Sequence, residues 1–131
     1  MGDTSRRILI IEDDEFISDV YQKKLALEGY SVDLARDGEE ALRKIREQKP
    51  DLVLLDIMIP LKDGFQVLSD MRNDSSLSDI RVMVMSNLSQ GKDIARAKEL
   101  GAVDYIVKSN VGLPEIVARV RRQLLPESQK K

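Results

Sequence analysis

Short aliphatic runs alternate along the chain with longer stretches in which apolar residues recur at helical spacing. The runs lie at residues 8–11, 31–35, 52–55, 82–85 and 103–107. Four of them are near-continuous and rich in Ile, Val and Leu, which is typical of strands buried on both faces. Residues 31–35 instead alternate apolar and polar side chains, as in a strand nearer a sheet edge. The pattern therefore predicts five strands.

Amphipathic segments follow each of these runs. They predict helices over residues 15–28, 38–48, 64–71, 92–100 and 114–125, with residues 73–79 as a polar loop. Side chains expected to face the core in three of these helices are Ile17, Val20, Tyr21, Leu25, Phe65, Val67, Leu68, Met71, Ile116, Val117, Val120 and Leu124. The end signals are Gly29, Asp37, Pro50, Gly101 and Pro114.

Strict alternation of strands and helices indicates an α/β fold, a doubly wound five-stranded parallel sheet with five helices covering both faces. The 131 residues suit one domain, and no repeat, low-complexity tract or composition break indicates a second. We expect the domain to cover residues 6–125, with residues 126–131 as a tail or the start of a linker.

Composition excludes several kinds of chemistry. The chain has no His, Cys or Trp, so it offers no imidazole base, phosphohistidine carrier, thiolate nucleophile or Cys-type zinc site. Its net charge of −2 is too balanced to predict a nucleic-acid surface. No apolar run is long enough for a membrane span, the N-terminus lacks a signal-peptide pattern, and a cytoplasmic location is the expectation.

Polar residues follow four of the predicted strands. They are Glu12, Asp13, Asp14, Asp56, Ser86 and Lys108. Because ligands of an open parallel sheet bind beyond the carboxyl ends of its strands, we expect these residues to form one site. Clustered carboxylates repel one another unless a cation binds, and two or three of them with water suit Mg²⁺. A lysine and a hydroxyl opposite them would hold phosphoryl oxygens, so the set predicts a phosphoryl site.

Four segments carry a family resemblance, in order and at the right strand ends: residues 8–14 (ILIIEDD), 54–64 (LLDIMIPLKDG), 82–86 (VMVMS) and 101–108 (GAVDYIVK). Along residues 6–125 the chain resembles the receiver domains of two-component response regulators. The resemblance implies the flavodoxin-like strand order 2-1-3-4-5 of doubly wound parallel sheets.

The resemblance also implies residue roles at the site. Asp56 corresponds to the phosphoacceptor, Asp13 to a direct Mg²⁺ ligand and Glu12 to a ligand acting largely through water. Met58 would supply its backbone carbonyl to the same ion, and Lys108 would pair with the phosphoryl group.

Further positions correspond to the family's switch and turn residues. Ser86 matches the switch hydroxyl and Tyr105 the switch aromatic, which would repack a surface made by helix four, strand five and helix five. Pro60 and Gly64 match the turn after the acceptor, where proline fixes φ and glycine permits a tight bend.

The implied function is that of a non-enzymatic signalling module. The phosphoryl donor would be a histidine kinase or a histidine phosphotransfer protein, because the chain has no histidine. The receiving side would be an output partner or effector domain. A charged group of Glu115, Arg119 and Asp104 resembles the dimer face of DNA-binding regulators, which implies a phosphorylation-driven homodimer.

The chain departs from the family pattern near the site. Ser109 follows Lys108 where the family usually has proline, and Asn87 follows the switch hydroxyl where a small residue is usual. Met58 and Leu88 are apolar at positions beside the phosphoryl group, which predicts poorly positioned water and a long-lived phosphorylated state.

Three other interpretations stay open at this point. The acidic triplet could be a helix cap, with Asp14 as the capping residue. The chain could be a pseudo-receiver that scaffolds a partner without phosphorylation, although intact Asp56 and Lys108 argue against it. It could also be a magnesium-dependent phosphohydrolase, but such enzymes need a second acid two residues past the nucleophile, where this chain has Met58.

Overall fold

Residues 5–125 of the computed structural model are described here, and the predicted tail at 126–131 lies outside them. The strands are β1 (Arg7–Ile11), β2 (Ser31–Ala35), β3 (Leu52–Leu55), β4 (Arg81–Ser86) and β5 (Asp104–Val107). The helices are α1 (Glu15–Leu27), α2 (Gly38–Gln48), α3 (Gly64–Arg72), α4 (Gly91–Glu99) and α5 (Leu113–Leu124), with a 3₁₀ turn at Lys108–Asn110.

The five strands form one parallel sheet in the order β2-β1-β3-β4-β5, which confirms the predicted fold. Ile11 pairs with both Ala35 and Leu55, and Ser86 pairs with Val107, so the carboxyl ends of the strands lie along one edge. Every connection crosses over through a helix, as parallel strands require. The sheet thereby brings residues from distant parts of the sequence to a common edge.

Two hydrophobic layers cover the sheet, one on each face. α2, α3 and α4 pack on one face through side chains that include Ile45, Leu68 and Ala97. α1 and α5 pack on the other face through Leu25 and Val120. None of the helices in residues 5–125 is long and apolar enough to cross a membrane.

Two predictions about burial are wrong. Residues 103–107 were expected to form a strand buried on both faces, but β5 is an edge strand in which only Ile106 is buried. Val20 was expected to face the core, yet it is 36% exposed, while Leu25 on the same helix is buried. An edge strand has one neighbour, and the outward face of α1 is itself apolar, so sequence pattern alone misassigns both.

Aspartates cap the starts of α1, α2 and α3. The Asp14 carboxylate accepts a hydrogen bond from the amide of Ile17, and Asp37 caps α2 in the same way, both as predicted. α3 begins with a capping box in which the side chain and backbone of Asp63 bond reciprocally with those of Gln66. The capping box was not predicted, and it fixes the start of the helix that follows the acceptor loop.

Arg72 ties together the loops at the amino-terminal ends of β4 and β5. Its guanidinium donates to backbone carbonyls of Ser78, Ile80, Leu100 and Gly101. Gly101 has φ +94°, and a Cβ atom there would lie 2.3 Å from Arg72 Nε. Arg72 therefore replaces backbone pairing in two loops and needs glycine beside it.

Candidate functional site

The carboxyl edge of the sheet carries an acidic cluster. Glu12 and Asp13 follow β1, and Asp56 follows β3. One carboxylate oxygen of each lies within 4.8 Å of the others. Glu12 and Asp56 are buried, whereas Asp13 is exposed. The three carboxylates that sequence analysis selected are therefore brought together, with the mouth of the cluster open on the Asp13 side.

Lys108 bridges the two buried carboxylates. Its Nζ atom lies 2.8 Å from Oδ2 of Asp56 and 2.6 Å from Oε1 of Glu12. Burial would lower the pKa of Lys108, but hydrogen bonds to both acids outweigh it, so the pKa is raised and the ammonium stays charged. Burial raises the pKa of Glu12, and the hydrogen bond from Lys108 offsets this only in part. One ammonium thus balances part of a dense negative charge.

Backbone amides complete the hydrogen bonding of the buried acids. Met58 N–H donates to Oδ1 of Asp56 at 3.0 Å, and Asp14 N–H donates to Oε2 of Glu12 at 3.1 Å. Both oxygens of each carboxylate are therefore held, which fixes the direction in which the acids point. The structure gives the amide of Met58 this role, while its predicted carbonyl role toward a metal stays a prediction.

The loop between β3 and α3 wraps closely around Asp56. A Cβ atom on Gly64 would lie 2.6 Å from Ile57 Cα and 2.8 Å from the carbonyl oxygen of Asp56. Gly64 does not have positive φ, so glycine is needed here for close approach and not for the predicted tight bend. The left-handed residue of this loop is Leu61, with φ +69°, which the sequence did not indicate.

The predicted switch residues are adjacent. Ser86 is fully buried at the end of β4, and its hydroxyl accepts a hydrogen bond from the amide of Leu88. The Tyr105 hydroxyl donates to the Leu88 carbonyl at 2.6 Å. Burial raises the pKa of Tyr105, and the Ser86 hydroxyl, close to the phenol, opposes that shift. Leu88 thus connects the hydroxyl to the aromatic ring, a role that sequence reasoning missed.

A second missed contact joins two departures from the family pattern. The Ser109 amide donates to Oδ1 of Asn87 at 3.0 Å. No cis peptide bond occurs among the described residues, and Lys108–Asn110 forms a single 3₁₀ turn. Both residues depart from the family pattern, but they are 22 positions apart in the chain, so their contact could not be predicted from the sequence.

The predicted dimer residues pair with one another inside the chain. The Arg119 guanidinium lies 3.3 Å from both carboxylate oxygens of Asp104 and 2.8 Å from Oε2 of Glu115. All three are at least partly exposed. They form a charged ridge between β5 and α5, and a dimer contact through it stays a prediction.

The donor set fits a hard divalent cation. Glu12, Asp13 and Asp56 offer only carboxylate oxygens, and one of them is open to solvent, which suits an ion that keeps part of its water shell. The chain has no histidine or cysteine, so it lacks the imidazole and thiolate ligands that zinc sites and most copper sites use. The residues present therefore fit Mg²⁺.

Comparison with known proteins places this geometry in context. Residues 8–121 match the family model for the response regulator receiver domain. The transcriptional regulatory protein PrrA of Mycobacterium tuberculosis is 41% identical over 123 residues, which is 94% of this chain and 52% of PrrA. The chain spans about half the length of the curated relatives it matches.

Two solved structures are similar over most of the chain. The BeF3-activated N-terminal receiver domain of Klebsiella pneumoniae RstA has a TM-score of 0.84 at 30% identity, covering 92% of this chain and 100% of that one. The Mn²⁺-bound form of the response regulator Rcp1 has a TM-score of 0.77 at 28% identity, covering 88% and 89%.

Proposed function

The chain belongs to the response regulator receiver domain family, and on that premise we propose that Asp56 accepts a phosphoryl group from a partner phosphohistidine. We take residues 6–125 as the unit that does so. The transfer switches the surface formed by α4, β5 and α5. Glu12, Asp13, Asp56 and the backbone carbonyl of Met58 would hold the Mg²⁺ ion that the transfer needs.

One observation carries the proposal, namely the arrangement of Lys108 between Asp56 and Glu12. The buried carboxylate of Asp56, whose oxygens contact one amide and one ammonium, is fixed in orientation within the acidic cluster. A purely structural ion pair would need one acid for one base, whereas here one lysine contacts two acids of a cluster of three carboxylates. The surplus negative charge supports a cation-binding role.

The chemical step is nucleophilic phosphoryl transfer. A carboxylate oxygen of Asp56 forms a bond to phosphorus as the bond from phosphorus to the partner imidazole nitrogen breaks, and the imidazole leaves with that electron pair. Lys108 offsets the charge that grows on the transferred oxygens and holds them in place. When bound, Mg²⁺ supplies further charge stabilisation for the same oxygens.

An apolar stripe beside the site supports a protein donor. Phe16, Val20 and Leu27 of α1 are 77%, 36% and 82% exposed. At 3.6 residues per turn they fall within about 40° of one another on the helix surface. Phe16 lies in the first turn, three residues after Asp13. We assign this stripe to the docking of a histidine kinase or phosphotransfer protein, since exposed apolar stripes on helices fit apolar grooves.

Ser86 and Tyr105 carry the switch in this proposal. On phosphorylation the Ser86 hydroxyl donates to a phosphoryl oxygen, and its movement toward that oxygen shifts the Leu88 amide that donates to it. The Tyr105 hydroxyl donates to the carbonyl of Leu88. Because Leu88 is bonded to both Ser86 and Tyr105, the start of the segment before α4 moves with these two side chains. An output domain, or a second copy meeting the ridge of Asp104, Glu115 and Arg119, reads the change.

The test is incubation with acetyl phosphate and Mg²⁺, followed by intact mass. We expect the mass of one added phosphoryl group on the wild-type protein and none on Asp56→Asn. Lack of an Asp56-dependent adduct would contradict the proposal and favour a phosphorylation-independent scaffold. Continuous turnover of small phosphate esters would instead favour a phosphohydrolase.

A further inference from the structure

We propose that Asn87 is a positioning residue for Lys108, acting through its hydrogen bond to the backbone amide of Ser109; this inference rests on the proposed function. The Ser109 amide donates to Asn87 Oδ1 at 3.0 Å, which links the segment after β4 to the segment after β5. Neither Asn87 nor Ser109 touches the acidic cluster in the structure's hydrogen bonds. Their contact affects the site through Lys108, which precedes Ser109 in the chain and contacts Asp56 and Glu12.

The bond lies just past the end of the sheet. The pairing of β4 with β5 stops at Ser86 and Val107, so Asn87 and Lys108 are the first residues beyond it. A strand residue is held by its ladder, but Lys108 begins a single 3₁₀ turn and has lost that support. The Asn87 side chain extends the connection between the two segments past the last strand pair.

The backbone of Lys108 must be fixed in place for its side chain to make both of its contacts. Its ammonium must reach Asp56 and Glu12 at once, at 2.8 and 2.6 Å, from a turn whose residues are all at least partly exposed. A long, flexible side chain can meet two acceptors only when its backbone origin is held in place. The hydrogen bond from the Ser109 amide to Asn87 fixes the peptide group that joins Lys108 to Ser109.

The two residues depend on each other chemically. A side-chain carbonyl is needed at position 87, and an N–H group is needed at position 109, which proline would lack. Loss of either partner removes the same bond. Asn87 therefore acts through Ser109 on Lys108, and its effect on phosphoryl transfer must vanish when residue 109 has no amide hydrogen.

A double-mutant cycle tests this with acetyl phosphate as the donor. The rate constant for phosphorylation of Asp56 and the Mg²⁺ concentration for half-maximal rate are measured in wild type, Asn87→Ala, Ser109→Pro and the double variant. Asn110→Ala, an exposed side chain in the same turn, is the matched control. Thermal unfolding of each variant separates folding defects from a change in rate constant.

We expect Asn87→Ala to slow the maximal rate about threefold, the effect of one hydrogen bond near solvent. The half-maximal Mg²⁺ concentration should not change, because the carboxylates are untouched. In the Ser109→Pro background the same substitution should have no effect. A general loss of structure would change rate and Mg²⁺ dependence together.

Two outcomes overturn the inference. In the first, the wild-type protein is phosphorylated, but Asn87→Ala slows the reaction equally in the wild-type and Ser109→Pro proteins, or slows it in neither. The Asn87–Ser109 bond then does not position Lys108, and the proposed function stands. If wild-type Asp56 takes up no phosphoryl group, the proposed function fails and this inference fails with it.

Discussion

The Lys108 ammonium lies 2.8 Å from the Asp56 carboxylate, and the two side chains are only 10% and 7% exposed. Lys108 also contacts Glu12, so removing it leaves two buried acids without a cationic partner. A buried charge that loses its partner is costly, whereas an exposed pair contributes little. The pair therefore contributes both to the stability of the folded protein and to the proposed reaction at this edge of the sheet.

Replacing Lys108 should reduce stability. We expect Lys108→Met to lower the free energy of unfolding at pH 7 and low Mg²⁺ by about 3 kcal/mol. Adding Asp56→Asn should recover on the order of 2 kcal/mol of this loss, as measured by urea denaturation. The control is Lys62→Met, since Lys62 pairs with Asp70 at 2.7 Å but both are more than a third exposed. Equal losses at the two lysines would contradict the interpretation.

Asp13 should affect metal binding and folding in opposite directions. Asp13→Asn removes a charge from the acidic cluster, so the protein should become more stable without Mg²⁺. The Mg²⁺ dissociation constant should rise about tenfold or more, as measured by calorimetry. Asp14→Asn is the matched control, because asparagine caps a helix as well as aspartate does. A Mg²⁺ affinity unchanged by Asp13→Asn would exclude Asp13 as a ligand.

Gly64 should tolerate no side chain. In Gly64→Ala the new Cβ would lie 2.6 Å from Ile57 Cα, so the acceptor loop must move. We expect a loss of about 1–3 kcal/mol in the free energy of unfolding and slower phosphorylation of Asp56. Gly91→Ala, at the start of α4 with open space around it, should be neutral or slightly stabilising. Similar effects at both glycines would show that close approach is not the cause.

The Tyr105 hydroxyl should restrain the segment before α4. Tyr105→Phe keeps the ring but loses the bond to the Leu88 carbonyl, so amide hydrogen exchange should accelerate at residues 87–90. The free energy of unfolding should fall by about 1 kcal/mol. Tyr30→Phe, which alters a tyrosine packed on the opposite face of the sheet, should leave that segment unchanged.

Asp33 should contribute stability that is lost in acid. Partial burial would raise its pKa, but hydrogen bonds from Gln48, the Leu34 amide and Lys44 outweigh burial and hold the pKa below its usual range. A lowered folded-state pKa stabilises the protein above the unfolded-state value of about 3.9 and ceases to do so as the pH falls through the folded-state value. Wild type and Asp33→Asn should therefore differ in unfolding free energy more at about pH 6 than at about pH 3, which lie on either side of the unfolded-state pKa.

Gln48→Ala provides the control for this pH dependence. Removing the Gln48 amide takes away a hydrogen bond at 2.8 Å to Asp33, so the difference between the two pH values should shrink. A pH dependence unchanged by Gln48→Ala would show that Asp33 is not the group responsible.

The cluster of site residues could be predicted because parallel topology decides it. Once β1, β3 and β5 are recognised as parallel strands, their carboxyl ends must share an edge, and Asp13, Asp56 and Lys108 must share it too. No knowledge of loop paths is needed for that step. The meeting of the carboxylates follows from it, whereas the strand order 2-1-3-4-5 was predicted from the family resemblance.

Details that depend on three-dimensional context could not be predicted. α1 carries two apolar stripes, one with Leu25 and one with Phe16 and Val20, and spacing alone does not say which faces the core. The contact between Asn87 and Ser109 depends on the paths of two loops. The close approach of Gly64 to Ile57 likewise exists only once the loop is folded.

Arg72 and Gly101 carry a consequence for sequence divergence. A guanidinium spreads its donors over four carbonyls, which the three donors of a lysine on a single nitrogen cannot reproduce. Gly101 leaves the space that the guanidinium occupies, and its φ of +94° suits glycine on its own account. We therefore expect that neither Arg72 nor Gly101 is substituted in related sequences while the other is kept. These two residues, 29 apart in the chain, should change together or not at all.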